Sequence, residues 1–477
     1  MIIHELSRFL IDLKYDDIPK ESIEKAKLCF LDYLSVYFRG LESENSKIAI
    51  KTIYKLFGDN FNSLNKAFIN GIASHSLDLD DGHRLAQLHP GSIVFSSLLA
   101  LISDKSLDLD ISTEKFIESI VAGYEVAIAL GILVNPNHRN QGFHSTGTIG
   151  TIAAGAVASK ILNLNLEQTE HCLGLCTTQS AGLLEADHAG TMGKSFHVGN
   201  ACYGGIISAF LAKNGFTGGE SIIDGKEGFL KAMSLKTYED YLDADNNDLD
   251  YLRISKFLED NLGKFHINEV YLKKFPFCRH IHSSIDSTLY LKESIVNSDD
   301  FDSLDSIGLD SIDSIEVKTY KIASEHDNFN PKNPQDLKQS LPYAVAISLV
   351  LNDLSLDSID ELKDDGLFDE KSNKEYVLKI KEIISKINII YDKDLDDLAP
   401  QMRPSQVTIK FKDNSRDSIK HTVYYPLGEV ENPLSEEDIL EKFKLLNPKF
   451  NIDKLQIIKH MEEYSIDELF RELDLID

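Results

Sequence analysis

The feature that most constrains the fold is a run of apolar residues at spacings of three and four, sustained from the N-terminus to about residue 265. Ile23, Ala26, Cys29, Phe30, Tyr33, Leu34 and Tyr37 follow the helical period. Phe116, Ile120, Val121, Gly123, Tyr124, Ala127, Ile128 and Gly131 do the same, with Ser112, Thr113 and Glu114 placed to cap that helix. Two further segments, 147–156 and 199–205, are rich in glycine and other small residues that let helix backbones approach closely. This pattern predicts a mainly α protein built on a large all-helical domain.

The texture changes near residue 266. Ile315–Tyr320 alternates as a strand, as does Gln406–Lys412, which is followed by Asp413-Asn414-Ser415 as a turn and His421–Tyr425 as its partner strand. The Asp/Ser-rich stretch from Ser294 to Ser314 reads as solvated loop and helix surface. The tail from Ser435 to Leu473 returns to a helical pattern. We therefore expect a helical domain formed by residues 1–267 and 427–477, and a smaller α+β lid domain over 268–426. The chain of 477 residues has room for both.

Charge narrows the function. With 49 basic and 77 acidic residues the net charge is −28, which argues against nucleic-acid and anionic-membrane partners. An anionic substrate would then need a pocket that concentrates cations against the overall field. The five cysteines are scattered and odd in number, and the first residues lack the basic and apolar regions of a secretory signal. The small-apolar run 147–162 is interrupted by Thr148, Thr151, Ser159 and Lys160, as in a packing helix rather than a membrane span. A cytoplasmic, reduced protein is expected.

Four segments could carry chemistry. In HSLDLDDGHRLAQLHPG (75–91) the leading half reads as a helix end with three aspartates in its last turn, where the dipole disfavours negative charge. Helical phase would put His75, Asp78 and Asp81 on one face and turn Asp80 away, with Gly82 ending the helix. A carboxylate beside an imidazole is a workable acid–base pair; the rival is an acidic, solvated helix terminus. In GFHSTGTIG (142–150), Ser145 or Thr146 can cap a helix whose free N–H groups suit a carboxylate, with His144 just outside. In GTMGKSFHVG (190–199), Lys194 can face a ligand anion or simply the solvent. In PFCRHIH (276–282), Arg279 offers a fork for a carboxylate, and His280 and His282 alternate. There is no HExxH motif, and the histidine spacings match no zinc pattern, so no metal is expected.

Taken in order, these segments, with QSAGLLEADHAGTMGKSFHVGNACYGG, SLPYAVA (340–346) and YYPLGEVENPLSEEDI (424–439), resemble the MmgE/PrpD family over nearly the whole chain. That family contains 2-methylcitrate dehydratases, cis-aconitate decarboxylases and iminodisuccinate epimerases. The resemblance implies a helical domain built from both chain ends, an α+β lid, a homodimer and no cofactor. It implies catalytic roles for Asp78, His89, His144, Lys194, His282 and Tyr343; substrate contacts are further expected from Arg279, from His197, and from Arg84, which follows a departure from the family pattern. One departure stands out: Gly82 occupies a position where decarboxylases and many dehydratases carry threonine. All three reactions make or quench a carbanion-like centre beside a carboxylate or imine, so the site must hold several negative groups and move one proton. Dehydration of a 2-methylcitrate-type acid is the first expectation, followed by decarboxylation of cis-aconitate and then imine epimerisation. A catalytically inactive binding member of the fold is the rival from another class.

Overall fold

The computed structural model describes residues 1–59, 61–234, 256–296, 309–351, 353–369, 372–413 and 417–476. The chain divides into two units, Met1–Leu272 with Ser435–Asp477, and Lys273–Leu434. Among the described residues it is mainly α, with one small sheet.

The first unit is helical. Its main elements are α1 (Lys20–Leu41), α2 (Ser63–His75), α3 (Pro90–Ile102), α4 (Thr113–Val134), α5 (Ser145–Ile161) and α6 (Gly193–Lys213). Ser112 caps α4 by accepting the N–H of Lys115, as its position predicts. Helix α5 is buried along all 17 of its residues, which suits a helix that is small and uncharged almost all round. It packs against α3, α4 and α6, and α6 packs in turn on α2. The α2–α6 contact depends on two glycines. A Cβ at Gly71 would lie 2.9 Å from the Gly199 backbone, and one at Gly199 would lie 2.6 Å from the Phe68 carbonyl oxygen. Side chains there would push the helices apart. Among the described residues α4 alone is long and apolar enough to cross a membrane, but 94% of its apolar window is buried within the protein.

The C-terminal helix Glu436–Leu446 packs on α1. Its Lys442 reaches inward, with Nζ 2.7 Å from Asp32 and 2.9 Å from the Leu79 carbonyl. All of this is buried.

The second unit holds β1 (Ile312–Thr319), β2 (Ile387–Tyr391), β3 (Ser405–Phe411) and β4 (Ile419–Val423), in the order β2-β1-β3-β4. β1 runs parallel to β2 and antiparallel to β3, and β3 pairs antiparallel with β4. Ile315, Val317, Val407, Ile409 and Phe411 alternate inward. α7 (His282–Val296) packs on β3 and β4, and α8 (Leu341–Val350) packs on α7 and on α9 (Glu375–Ile384) within the same core. β1 begins three residues before the alternation that marked it, and β2 carried no strict alternation to mark it at all. The expected turn residues Asn414 and Ser415, and most of the Asp/Ser-rich stretch, lie outside the described residues.

Candidate active site

Helix α2 stops at His75, six residues earlier than the helical reading of HSLDLDDGH requires. The Ser76 hydroxyl folds back onto the Ile72 carbonyl at 2.5 Å, and Asp78 adopts the left-handed conformation at φ 57°. Aspartate tolerates that region better than most residues. Helical phase therefore does not apply to the acids. It is Asp80 that pairs with His75, with Oδ2 2.6 Å from Nδ1 and both side chains buried. Asp78 turns instead to Lys194, 3.1 Å from its Nζ.

The dipole problem disappears with the helix. Asp81 accepts the Gly91 N–H at 2.9 Å and the Tyr124 hydroxyl at 2.6 Å, so its charge sits at the N-terminus of α3, where the dipole favours it. Burial pushes Asp81 up to about 7, helped by Asp80 and Asp32 and opposed by its hydrogen bonds to Tyr124 and Gly91.

Gly82 does not end a helix either. It pairs in extended conformation with Tyr271, through N···O contacts of 3.1 and 2.9 Å. A Cβ at Gly82 would overlap the Tyr271 ring and hydroxyl, so Tyr271 fills the space a threonine side chain would need. Gly82→Ala is expected to destabilise the fold by about 1–3 kcal/mol through overpacking. Tyr271→Ala in the same chain should recover part of that loss relative to Tyr271→Ala alone, as read from denaturant midpoints in a double-mutant cycle.

Four imidazoles line up beside this loop. His89 precedes α3 and donates its Nδ1–H to the Asp81 carbonyl at 2.5 Å, while its backbone N–H reaches Thr146. The His89 ring lies 4.9 Å from that of His75, and His75 lies 5.8 Å from His144. His144 heads α5, and its Nδ1 is 3.1 Å from that of His197 on α6. Lys194, in the first turn of α6, also lies 3.8 Å from Asp187. Burial holds His144 well below the ordinary histidine value, and His75, Lys194, His197 and His89 lower it further. Burial and His75 lower His197 as well, against the pull of Asp187. His144 is therefore held toward its neutral form. The structure thus brings Asp78, His89, His144, Lys194 and His197 together, and adds His75 and Asp80. The signal for that pair was a spacing of five across a helix end, which helical phase cannot see.

In the second unit, two expected substrate groups are committed elsewhere. Arg279 donates to Glu429 at 3.2 Å and to the carbonyls of Leu427 and Pro426 at 2.8 and 3.2 Å. It also donates to His282 Nδ1 at 3.0 Å. His282 in turn donates its Nε2–H to the Phe277 carbonyl at 3.0 Å. The expected fork for a substrate carboxylate is instead a buried clasp on the 426–429 segment, and the expected acid His282 is part of that clasp. Tyr343 sits buried in the first turn of α8, and burial raises its hydroxyl above the usual range, so it stays protonated. Arg84 lies half-buried in the first unit, close enough to His83 to disfavour its cation.

Two groups of described residues bring three possible metal ligands within 4.8 Å of one another: His75, Asp80 and His89, and His83, His266 and Glu269. Protons account for both. His89 Nδ1 carries the hydrogen held by Asp81. His83 Nδ1 accepts the Ala86 N–H, so its Nε2 carries the hydrogen given to Glu269. Neither donor set fits a metal without breaking these bonds.

Residues 4–240 match the family model described as the MmgE/PrpD N-terminal domain, and residues 275–464 match the MmgE/PrpD C-terminal domain. The chain is similar to cis-aconitate decarboxylase of Homo sapiens, 24% identical over 475 residues, covering 94% of this chain and 90% of that protein. It is similar to cis-aconitate decarboxylase of Aspergillus terreus, 23% identical over 461 residues, covering 93% and 88%. Cis-aconitate decarboxylase of Mus musculus is 23% identical over 454 residues, covering 91% and 84%. With both models matched in chain order and the motif series in place, the chain belongs to the MmgE/PrpD family.

Proposed function

We propose that this protein is a lyase that decarboxylates a small unsaturated tricarboxylate of the cis-aconitate type, without a resident cofactor. The observation that carries the reading is the gathering of Lys194 and the imidazoles of His89, His144 and His197 in a protein of net charge −28. One ammonium and three imidazoles able to carry a proton suit a polyanion that needs one proton. Relatives named as decarboxylases, matched along nearly their whole length, set carbon dioxide loss ahead of the dehydration that the sequence first suggested.

In the proposed reaction a C–C bond breaks, carbon dioxide leaves, and the electron pair left behind becomes a new C–H bond. A trianion and one proton give a dianion and carbon dioxide. Lys194 holds a carboxylate, and Asp78 keeps its Nζ aimed. The bound trianion raises the proton affinity of the neighbouring imidazoles, so that His89 or His144 takes up the proton that the carbon then receives.

The test is a panel of cis-aconitate, 2-methylcitrate, citrate and a racemising imino acid, offered to chelator-treated protein. Carbon dioxide release from cis-aconitate, at a rate unchanged by chelation, is the expected result. A conjugated alkene formed only from the hydroxy acids would make it a dehydratase, and silence across the panel would sink the lyase reading.

We also propose a cytoplasmic homodimer. The outward stripe of Phe196, Tyr203 and Leu211 on α6, each 38–51% exposed, supports a second copy as its cover. Sedimentation velocity reads the dimer directly.

A further inference from the structure

We propose that Asp80 and His75 are positioning residues of this site. Asp80 is the fixed counter-charge that lets His89 carry its proton, and His75 is the strap that holds that carboxylate in place. The catalytic consequence rests on the reaction proposed above; the charge pairing stands on geometry alone.

Asp80 Oδ2 receives the His75 Nδ1–H at 2.6 Å and lies 3.6 Å from His89 Nδ1. The His89 Nδ1 hydrogen is held by the Asp81 carbonyl at 2.5 Å, so His89 gains and loses its second proton at Nε2. A buried carboxylate this close favours the imidazolium without competing for that position. Of the four buried acids here, Asp80 is the one strapped by an imidazole, and Asp78 faces Lys194. Asp81 gives its oxygens to Tyr124 and Gly91, and Asp32 faces Lys442.

His75 commits one nitrogen to Asp80 and leaves the other bare, as His171, His266 and His421 each also leave one. Its Nε2 is buried with no hydrogen-bond partner, although its side chain is fully shielded from solvent. His138, elsewhere in the same unit, satisfies both nitrogens, on the Met233 carbonyl and the Thr148 hydroxyl. Leaving a buried nitrogen unpaired is unfavourable. The fold accepts that for the sake of the other nitrogen, the one on Asp80.

The groups bearing on His89 come from every side. His75 and Asp80 face it directly, and Asp78 and Asp81 share its loop. His144 comes from α5, and Lys194 and His197 from α6, with Asp187 behind Lys194. Asp32 of α1, Tyr124 of α4 and Lys442 of the C-terminal helix lie behind the loop. Lys194 and the other imidazoles all work against a proton on His89. Asp80 is the anion placed to offset them.

The experiment follows the His89 Cε1–H by NMR across pH in the substrate-free protein, alongside the pH profile of kcat/KM for carbon dioxide release from cis-aconitate. Asp80→Asn is expected to move the His89 titration down by about one pH unit or more. Turnover above neutral pH should fall roughly tenfold, recover partly at lower pH, and leave KM within about threefold. His75→Asn, which still offers an N–H to Asp80, should behave like the parent protein, and His75→Leu like Asp80→Asn. An unmoved His89 titration in Asp80→Asn, or a loss of rate equal at all pH values, would overturn the proposal. A shifted titration in a protein that turns over no tricarboxylate would support the pairing and overturn the reaction.

Discussion

Lys194→Met is expected to lower kcat for carbon dioxide release by about 100- to 1,000-fold, the range measured when one preorganised charge-stabilising donor is removed from an active site. Methionine keeps most of the lysine's length and removes only the charge. What remains are Asp78, held 3.1 Å from the lost ammonium in a left-handed conformation, and Asp187 at 3.8 Å, both now turned toward the proposed polyanion without the lysine's charge. The loss is therefore repulsion gained as well as attraction lost. Asp78→Asn isolates the second part, because asparagine also tolerates positive φ and keeps the loop's shape. The Asp78→Asn protein should bind the tricarboxylate as well as the parent or better, yet turn it over more slowly, because the Lys194 ammonium is no longer aimed. Lys194→Arg is not expected to rescue the rate, since a planar fork does not replace a compact point charge on a single carboxylate oxygen. Steady-state kinetics on all three variants decide it. A Lys194→Met protein within threefold of the parent would remove Lys194 from the chemistry.

The helical domain was legible because its information is local. Ile23 to Tyr37 and Phe116 to Gly131 repeat at the helical period, and Ser112 announces its own helix. The site was legible only in its parts. His144 and Lys194 stand at helix starts that small residues and glycines mark plainly. The acids between 78 and 81 were misassigned because the periodic argument was carried six residues past the end of α2. There a serine hydroxyl and a left-handed aspartate had already turned the chain. No sequence period records that break. Pairings between distant residues were beyond reach for a similar reason. Arg279 looks like a ligand for a carboxylate, and it is one, but the carboxylate is Glu429, 150 residues away. An arginine that binds substrate and one that clasps its own chain look alike until the fold is known.

A still more distant pairing, Lys442 with Asp32, has the largest expected effect on stability. Lys442→Met is expected to cost about 3–5 kcal/mol, because it leaves Asp32 as a buried carboxylate without its counter-charge. Asp32 lies 410 residues from Lys442, and burial already holds its carboxyl above the usual value against the opposing pull of that lysine. Without the lysine it rises further. A folded state that binds a proton the unfolded chain does not loses stability as pH rises. The deficit of Lys442→Met should therefore be greatest near neutral pH and shrink as pH falls toward the unfolded carboxyl value of about 4, as measured by urea unfolding at several pH values. The same lysine donates to the Leu79 carbonyl, between Asp78 and Asp80, so it ties the C-terminal helix to the loop that carries the site. Pairing Lys442→Met with Asp32→Leu should recover most of the stability, as hydrophobic replacement of buried ion pairs often does. It should not recover the rate, because the Leu79 carbonyl still lacks its donor and the two acids beside it lose their anchor. A double variant that is both stable and fully active would show that the loop keeps Asp78 and Asp80 in place unaided, and that the tail serves the fold alone.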